Sequence, residues 1–330
     1  MKINMKKSLI FLAIIVIVGF FSSKHLYSTN AIISNIILTE NEIILFSAQS
    51  NQQFYLSPNR KLIAITESNH VDTITYIQDI KGNKITPAYP GSFISWFTDS
   101  TSVLIFFPFT ENGRKIFSLN LNGGYSDTEL PSGVIAADFS PGGKELIYSL
   151  TGNQTDISTL WIRDEFGRDK ILYNGDGQSI LAWSRWSPNG DKIAFMKSNI
   201  NNFSQELWLM DINGENLKEV SNIIWNYPPV WSPDGRKLLF AVQENQDPQY
   251  YLYDYKSLES NLWEFDTITN TLNKLTNFSH EKVLQPSYRA DGSIIFVSNL
   301  SGADEIWSIK DGNLLQLTSD GINKRYPVAP

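Results

Sequence analysis

Residues 231–240 read Trp231-Ser232-Pro233-Asp234-Gly235-Arg236-Lys237-Leu238-Leu239-Phe240, and this stretch decides the fold because it recurs along the chain. Proline presets φ for a turn and the Asp-Gly pair supplies a position with φ > 0, so the stretch predicts a hairpin. A second clear copy begins at Trp186, and fainter copies begin at Phe139, Ser57, Trp96 and Tyr288. Aligned on the proline position (58, 98, 141, 188, 233 and 290), the copies are 40, 43, 47, 45 and 57 residues apart. A repeat of this length, built of strands and turns, indicates a propeller, an array or a solenoid.

Each copy is followed by an aromatic residue, and in most copies a second tight turn and another short apolar strand come next. The aromatic residues are Tyr76, Phe117, Trp161, Trp208, Trp263 and Trp307. Four short strands make one blade, and blades packed radially cover both faces of each small sheet. We therefore predict an all-β propeller of four-stranded antiparallel blades, in which these aromatic side chains fill the space between neighbours. The six full repeats are expected at roughly 50–88, 92–130, 134–175, 180–220, 226–277 and 284–318.

The Ser-Pro-Asp-Gly turn, followed by a Lys-Leu-hydrophobic strand, resembles the hallmark of the TolB-like (WD-repeat-like) propeller family over roughly residues 50 to 320. The resemblance implies a propeller, commonly of six blades, of the kind found in envelope proteins and in non-catalytic domains of some peptidases. It implies no single activity. TolB itself carries an additional α/β domain before its propeller. Only about 20 to 30 residues separate the apolar N-terminal segment from the first repeat here, so the sequence predicts a TolB-like propeller without that domain.

Two further strands are predicted before the first repeat, at Ile36-Ile37-Leu38 and Ile43-Ile44-Leu45-Phe46. The chain ends in Tyr326-Pro327-Val328-Ala329-Pro330, which resembles the lead-in to a blade at Tyr227-Pro228-Pro229-Val230. The simplest expectation is that both ends meet in one composite sheet and close the ring. A partial seventh blade and an addition to the sixth both remain open.

The first 28 residues predict export. Lys2, Lys6 and Lys7 precede an uninterrupted apolar run from Leu9 to Phe21, followed by polar residues. That run suits a signal-peptide core and is shorter than the roughly 20 residues that span a bilayer. An uncleaved signal anchor remains the alternative, and either one places a single propeller domain, residues 29–330, outside the cytoplasm as a periplasmic, secreted or membrane-anchored protein. The membrane is expected as a partner only through such an anchor.

Charge and composition exclude several classes of function. The chain has no cysteine, so disulfides, thiol catalysis, cysteine-ligated metals and a lipid-modified cysteine are excluded. The formal net charge is −7, with 27 basic against 34 acidic residues. A duplex would be repelled by this average, and no basic cluster opposes it, so nucleic acid is not expected as a partner. The sequence predicts no cofactor and no metal site.

The loops predict where binding occurs. Both kinds of tight turn lie at one face of the ring, and the second-to-third and inter-blade connections lie at the other, which we call the long-loop face. Function tends to reside on such loops while the scaffold holds them. The fifth repeat carries extra residues at this face, and aromatic residues suit recognition surfaces. We predict binding of a protein or cell-envelope component through Tyr250, Tyr251, Tyr253, Tyr255, Trp225 and Tyr227. An extra hairpin packed on its own propeller is the alternative for this loop.

An enzyme is the competing hypothesis. His70 and His280 both map to connections at the long-loop face, and a histidine with nearby carboxylates at the channel mouth would suit a hydrolase or lyase. No Gly-x-Ser-x-Gly elbow, phosphate loop or dinucleotide fingerprint is present. The sequence therefore favours a non-enzymatic protein and assigns no catalytic residue. A small-molecule or sugar-binding propeller shares the same face and stays open beside the other two.

Overall fold

The repeated phrase folds as a tight turn whose first serine has a specific structural task. In the computed structural model of the protein, the Ser232 N–H donates to the Lys237 carbonyl (2.8 Å) and the Lys237 N–H donates to Ser232 Oγ (2.8 Å). Ser57, Ser140 and Ser187 make the same pair of bonds in their own turns. Gly235 follows at φ 69°, a conformation that favours glycine. The phrase therefore closes four of the six hairpins through a buried serine rather than through proline and glycine alone, and Phe97 and Arg289 stand at that position in blades two and six.

The structure describes residues 36–38, 43–47, 52–69, 72–110, 113–151, 158–201, 204–222, 228–243 and 259–328. The strands of blades one to three are β3 (Gln52–Leu56), β4 (Leu62–Ser68), β5 (Thr73–Asp79), β6 (Tyr89–Pro90), β7 (Ser92–Trp96), β8 (Ser102–Thr110), β9 (Gly113–Asn120), β10 (Tyr125–Asp127), β11 (Val134–Phe139), β12 (Leu146–Thr151), β13 (Ser158–Arg163) and β14 (Asp169–Asn174). Those of blades four to six are β15 (Ser179–Trp186), β16 (Lys192–Asn199), β17 (Gln205–Asp211), β18 (Lys218–Asn222), β19 (Val230–Trp231), β20 (Lys237–Gln243), β21 (Ser260–Asp266), β22 (Thr271–Lys274), β23 (Val283–Tyr288), β24 (Ile294–Ser298), β25 (Glu305–Lys310) and β26 (Asn313–Gln316).

These strands form six four-stranded antiparallel sheets, each in chain order, which confirms the predicted all-β propeller. The described part of the chain contains no helix, and hence no helix long and apolar enough to cross a membrane. First strands of neighbouring sheets contact one another, as β7 contacts β11 and β11 contacts β15. The first strands therefore surround the axis of the ring, and the fourth strands form its rim.

The core lies between the blades. The indole N–H of Trp186, on the first strand of blade four, donates to the Asp138 carbonyl of blade three (3.2 Å), and Trp96 does the same to Tyr55 of blade one (3.0 Å). Third-strand aromatics pack against buried clusters shared with a neighbouring sheet, as Trp161 does beside Leu104 and Val134. The predicted role of the recurrent aromatics as inter-blade filling is thus confirmed for Trp161. Similar packing is seen for Tyr76, Trp208, Trp263 and Trp307.

The ring closes through strands from both ends of the chain. Strands β1 (Ile36–Leu38), β2 (Ile43–Ser47) and β27 (Arg325–Val328) form a separate three-stranded sheet in which β2 pairs antiparallel with both neighbours. Strand β27 contacts β23 and β24 of blade six and β3 of blade one. The predicted composite sheet is therefore confirmed, and it forms a partial seventh blade rather than an addition to the sixth.

A buried group of charges fastens β27 to blade six; we call it the ionic clasp (Lys282, Asp304, Glu305, Lys324 and Arg325). Asp304 accepts hydrogen bonds from Lys282 Nζ (2.8 Å) and Arg325 Nη1 (2.6 Å), and its side chain is 6% exposed. The Lys324 side chain is 1% exposed, and its Nζ lies 3.4 Å from Glu305 Oε2. Buried charges are tolerated only when paired, so the clasp couples the position of β27 to the start of β25.

Candidate functional site

The two faces of the ring differ in how they are held. At the tight-turn face, turns of neighbouring blades bond to one another: the Asn59 N–H donates to Ser100 Oγ (3.1 Å) and Asn189 Nδ2 donates to the Asp234 carbonyl (2.9 Å). Within the turns, carboxylates such as that of Asp234 accept local N–H groups, which holds the pKa of Asp234 below its usual range, chiefly through the Ser232 hydroxyl. At the tight-turn face, the short loops of blades one and two and those of blades four and five are therefore cross-linked.

The long-loop face receives the connections that vary in length. Strands β20 and β21 pair up to Gln243 and Ser260, so the long connection between them leaves and rejoins the sheet at this face. Ser260 is buried and exchanges two hydrogen bonds with Val283 of the next blade, at 2.9 Å and 2.7 Å. The base of this long connection is therefore held by two blades. Most of the predicted site residues lie outside the described residues: Tyr250, Tyr251, Tyr253, Tyr255, Trp225, Tyr227 and His70.

His280 is the one sequence-predicted candidate that the structure describes. It lies in the link between blades five and six, as expected, and its side chain is 84% exposed. Its Nδ1 lies 3.1 Å from Glu259 Oε1, while the nearby Glu281 carboxylate accepts the N–H groups of Ser279 and His280. Within the described ranges, no three His, Asp or Glu side chains are placed to hold a metal ion together. The geometry at His280 is that of an exposed imidazole–carboxylate pair.

A second group of residues lies at the axis and was not predicted from the sequence. Asp138, Arg185 and Tyr55 lie on the first strands of blades three, four and one, and all three are half-buried. Burial raises the pKa of the Asp138 carboxyl, and the Arg185 charge and the Trp186 N–H oppose part of that shift. Burial likewise raises the pKa of the Tyr55 hydroxyl, again opposed by Arg185. All three residues stand on strands that surround the axis of the ring, and the Tyr55 ring stacks on Phe93 of blade two, with the ring centroids 4.2 Å apart.

One sequence signal could have found this group. Tyr55, Asp138 and Arg185 each stand three residues before the aligned proline position of their repeat. The repeat alignment therefore placed them at one level of the ring. Their different chemistry concealed the relation, because an aromatic, an acid and a base do not look like copies of one position.

Buried polar contacts between blades explain other features of the repeat. The Tyr288 hydroxyl donates to Glu264 Oε2 (2.9 Å). The other carboxylate oxygen, Glu264 Oε1, accepts a hydrogen bond from Lys237 Nζ (2.7 Å). Burial and the Glu264 charge raise the pKa of Tyr288. The recurrent Leu-Thr pairs end in a buried threonine: Thr276 Oγ1 accepts the Leu262 N–H and Thr318 Oγ1 accepts the Ile306 N–H, both at 2.9 Å. The hydrogen bonds of these groups therefore stabilise the fold.

Comparison with known proteins shows the fold. No protein-family model matches the chain. TolB from Acinetobacter baumannii is 16% identical over 84% of this chain and 65% of its own length, with a TM-score of 0.52. An oligogalacturonate lyase solved in complex with manganese is 13% identical over 86% of this chain and 83% of its own, with a TM-score of 0.58. The β-propeller domain of the trilobed protease from Pyrococcus furiosus is 12% identical, covers 81% and 83%, and has a TM-score of 0.54.

These similarities confirm the suspected TolB-like β-propeller fold. The chain spans about two thirds of the length of the first of these proteins, 65%. The similar structures include a lyase and peptidases as well as TolB, and an identity this low carries the fold and no activity.

Proposed function

We propose that the protein is an exported, non-enzymatic β-propeller that binds another protein or a component of the cell envelope through its long-loop face. The observation that supports the proposal is the contrast between the faces. Turns on one face are short and bonded to one another across blades. The opposite face carries the 244–259 connection, whose base is held by blades five and six.

The mechanism is display of a binding loop on a rigid support. A loop whose ends are already fixed loses less conformational freedom on binding, so more of the interaction energy is retained as affinity. Gln243 and Ser260 are both at least nine-tenths buried and pair across β20 and β21. Between them the sequence places Tyr250, Tyr251, Tyr253 and Tyr255, and tyrosine buries a large area at small entropic cost.

Export is the second part of the proposal and rests on the first 28 residues. The lysines and the apolar run that follows them suit an export signal whose lysines stay on the cytoplasmic side while the propeller crosses the membrane. The signal is then either cleaved or kept as an anchor. Fusing alkaline phosphatase after Pro330 tests this, because that enzyme is active only outside the cytoplasm. Activity that disappears when Leu9–Phe21 is deleted supports export, and activity that persists without the run contradicts it.

The binding proposal is tested by affinity capture from the native cell envelope with the exported propeller as bait. In the test variant, Tyr251 and Tyr253 are replaced by alanine. We expect the same melting temperature as the wild type and loss of the captured partner.

The matched control changes the opposite face. Phe166 and Ile268 are 74% and 71% exposed and lie in the third-to-fourth turns of blades three and five. Replacing both by serine should leave capture intact. Loss of capture in this control alone would move the binding surface to the tight-turn face and refute the proposal. Unfolding of the tyrosine variant would show that the loop is a packed hairpin.

A further inference from the structure

The axial channel carries a second candidate site that is independent of the proposed protein binding. Six residues stand three places before the aligned proline position: Tyr55, Ser95, Asp138, Arg185, Val230 and Ser287. They lie near the tight-turn ends of the innermost strands. One base and one acid are therefore placed at a single level of the channel, on neighbouring blades, among otherwise uncharged side chains.

Arg185 has hydrogen-bonding capacity that the protein does not use. A guanidinium group carries five N–H donors. Among the described residues, the Arg185 side chain makes one hydrogen bond, from Nη1 to the adjacent Ser184 carbonyl (3.0 Å). The remaining donors are available to an oxygen ligand in the channel.

Asp138 stands at the same position of the repeat on the neighbouring blade but is not bonded to Arg185. Its Oδ2 accepts the Trp186 N–H (3.0 Å), and the Arg185 charge acts on it without a direct ion pair. The backbone of blade four thus fixes the carboxylate while leaving the base and the acid apart. A ligand lying between them could accept hydrogen bonds from the Arg185 guanidinium group and donate one to the Asp138 carboxylate.

The strand that carries Arg185 is distorted at this point. The register of β15 against β16 shifts between Ala182 and Arg185, and Trp183 has a φ of 50°. The first strands of blades two, three and six carry the same kind of shift, so the bulge belongs to the repeat, and it redirects the side chains that follow it. Two hydroxyl oxygens on the innermost strands, Ser184 Oγ and Ser95 Oγ, are buried and have no hydrogen-bond partner within the described part of the chain. Ser184 is 0% and Ser95 is 5% exposed.

We propose that the axial channel binds a small carboxylate-bearing ligand, with its carboxylate on Arg185 and a neighbouring hydrogen-bond donor of the ligand on Asp138. Planar carboxylates match the fork of a guanidinium group. The donor is a hydroxyl or an ammonium group, since Asp138 can accept from either. Tyr55, whose hydroxyl donates to Gln53 Oε1, stands at the same position of its repeat.

The charge of the channel favours a carboxylate over a phosphate group. Arg185 is the one base among the six residues at this level, and Asp138 offsets its charge. A phosphate dianion would meet a single cation and a nearby acid, whereas a carboxylate with a donor group beside it matches both. The proposal therefore commits to a monocarboxylate with a neighbouring donor.

The test measures binding of four named probes to the full-length protein by titration calorimetry and saturation-transfer NMR: glycolate, glycine, acetate and inorganic phosphate. We expect glycolate or glycine to bind best, and the comparison between these two identifies the donor as hydroxyl or ammonium. Arg185→Gln should weaken that probe at least about tenfold, because charged hydrogen bonds are lost. Asp138→Asn should remove most of its advantage over acetate.

Two further variants keep the test decisive. Arg236→Gln removes a half-exposed arginine of the tight-turn face, paired with Asp266, and should leave binding unchanged. Arg185→Lys is the substitute variant if Arg185→Gln does not fold. It retains the positive charge and loses the fork of N–H donors, so it should bind the probe several-fold less tightly than the wild type. No binding of any probe, equal binding by folded Arg185 variants, or tighter binding of phosphate than of glycolate and glycine would each overturn the proposal. Equal binding of acetate would overturn the role of Asp138.

Discussion

Removing the negative charge of Asp304 should destabilise the protein through the ionic clasp. Asp304 is 4% exposed and lies within 2.8 Å of Lys282 Nζ and 2.6 Å of Arg325 Nη1. Asp304→Asn leaves two largely buried cations without that carboxylate. Breaking a buried ion pair by removing one partner costs about 3–5 kcal/mol, so we expect a loss of that order in the free energy of unfolding.

The assay is urea unfolding followed by tryptophan fluorescence, with hydrogen exchange of β27 measured under native conditions. We expect a lower urea midpoint and faster exchange in β27 than in blade three. Lys115→Gln is the matched control, because its pair with Asp127 is 34% and 40% exposed and such pairs contribute about 0–1 kcal/mol. A loss below about 1 kcal/mol in Asp304→Asn would refute the reasoning. So would an equal cost of Asp304→Asn in the wild type and in the Lys282→Met variant, because removing one partner cation should reduce that cost.

Three more predictions concern the blades. Trp231→Ala should cost about 3–5 kcal/mol, since Trp231 is 9% exposed in the cluster with Leu209 and Phe240; urea unfolding checks this, and a cost near that of a surface change would place Trp231 outside the core. Gly91→Ala should destabilise by about 1–3 kcal/mol, because its φ is 117° and a Cβ would meet the Phe106 carbonyl at 2.6 Å, whereas Gly142→Ala has open space and should be close to neutral in thermal melting. Acidification should destabilise the fold below about pH 4. The Arg163 hydrogen bond holds the pKa of Asp169 below its usual range, so the stabilisation that is present above the unfolded-state pKa is lost as the pH falls. The urea midpoint of Arg163→Met should therefore depend less on pH than that of the wild type.

The fold was predictable because its determinants are local. Ser232, Pro233 and Gly235 act within one turn, and the same arrangement recurs often enough to reveal the period. The meeting of the two ends was also predictable, since Tyr326-Pro327 resembles the start of a blade. The choice between a seventh sheet and an extension of the sixth depended on contacts of β27 with β3 and β24, and no local pattern specifies those.

The candidate site was less predictable because it depends on side-chain direction. Arg185 reaches the axis after a bulge at Trp183, and the alternation of polar and apolar residues does not show such a bulge. Glu305 and Lys324 look like surface charges in the sequence, yet both are at least 98% buried. Their burial follows from the docking of β27 on blade six, which places Lys324 against Glu305. The aromatic loop and His70 remain predictions.

The pairing of β2 with β27 has a consequence for the order in which the molecule forms. During synthesis, β2 emerges before any full blade, and its partner emerges only after all six. Until then the blades form an open arc, with the flanks of blades one and six uncovered. Domains of this size are prone to misassembly while apolar surface is exposed. The ring can therefore close only when β27 docks. A chaperone that shields the open arc would have its largest effect just before that step.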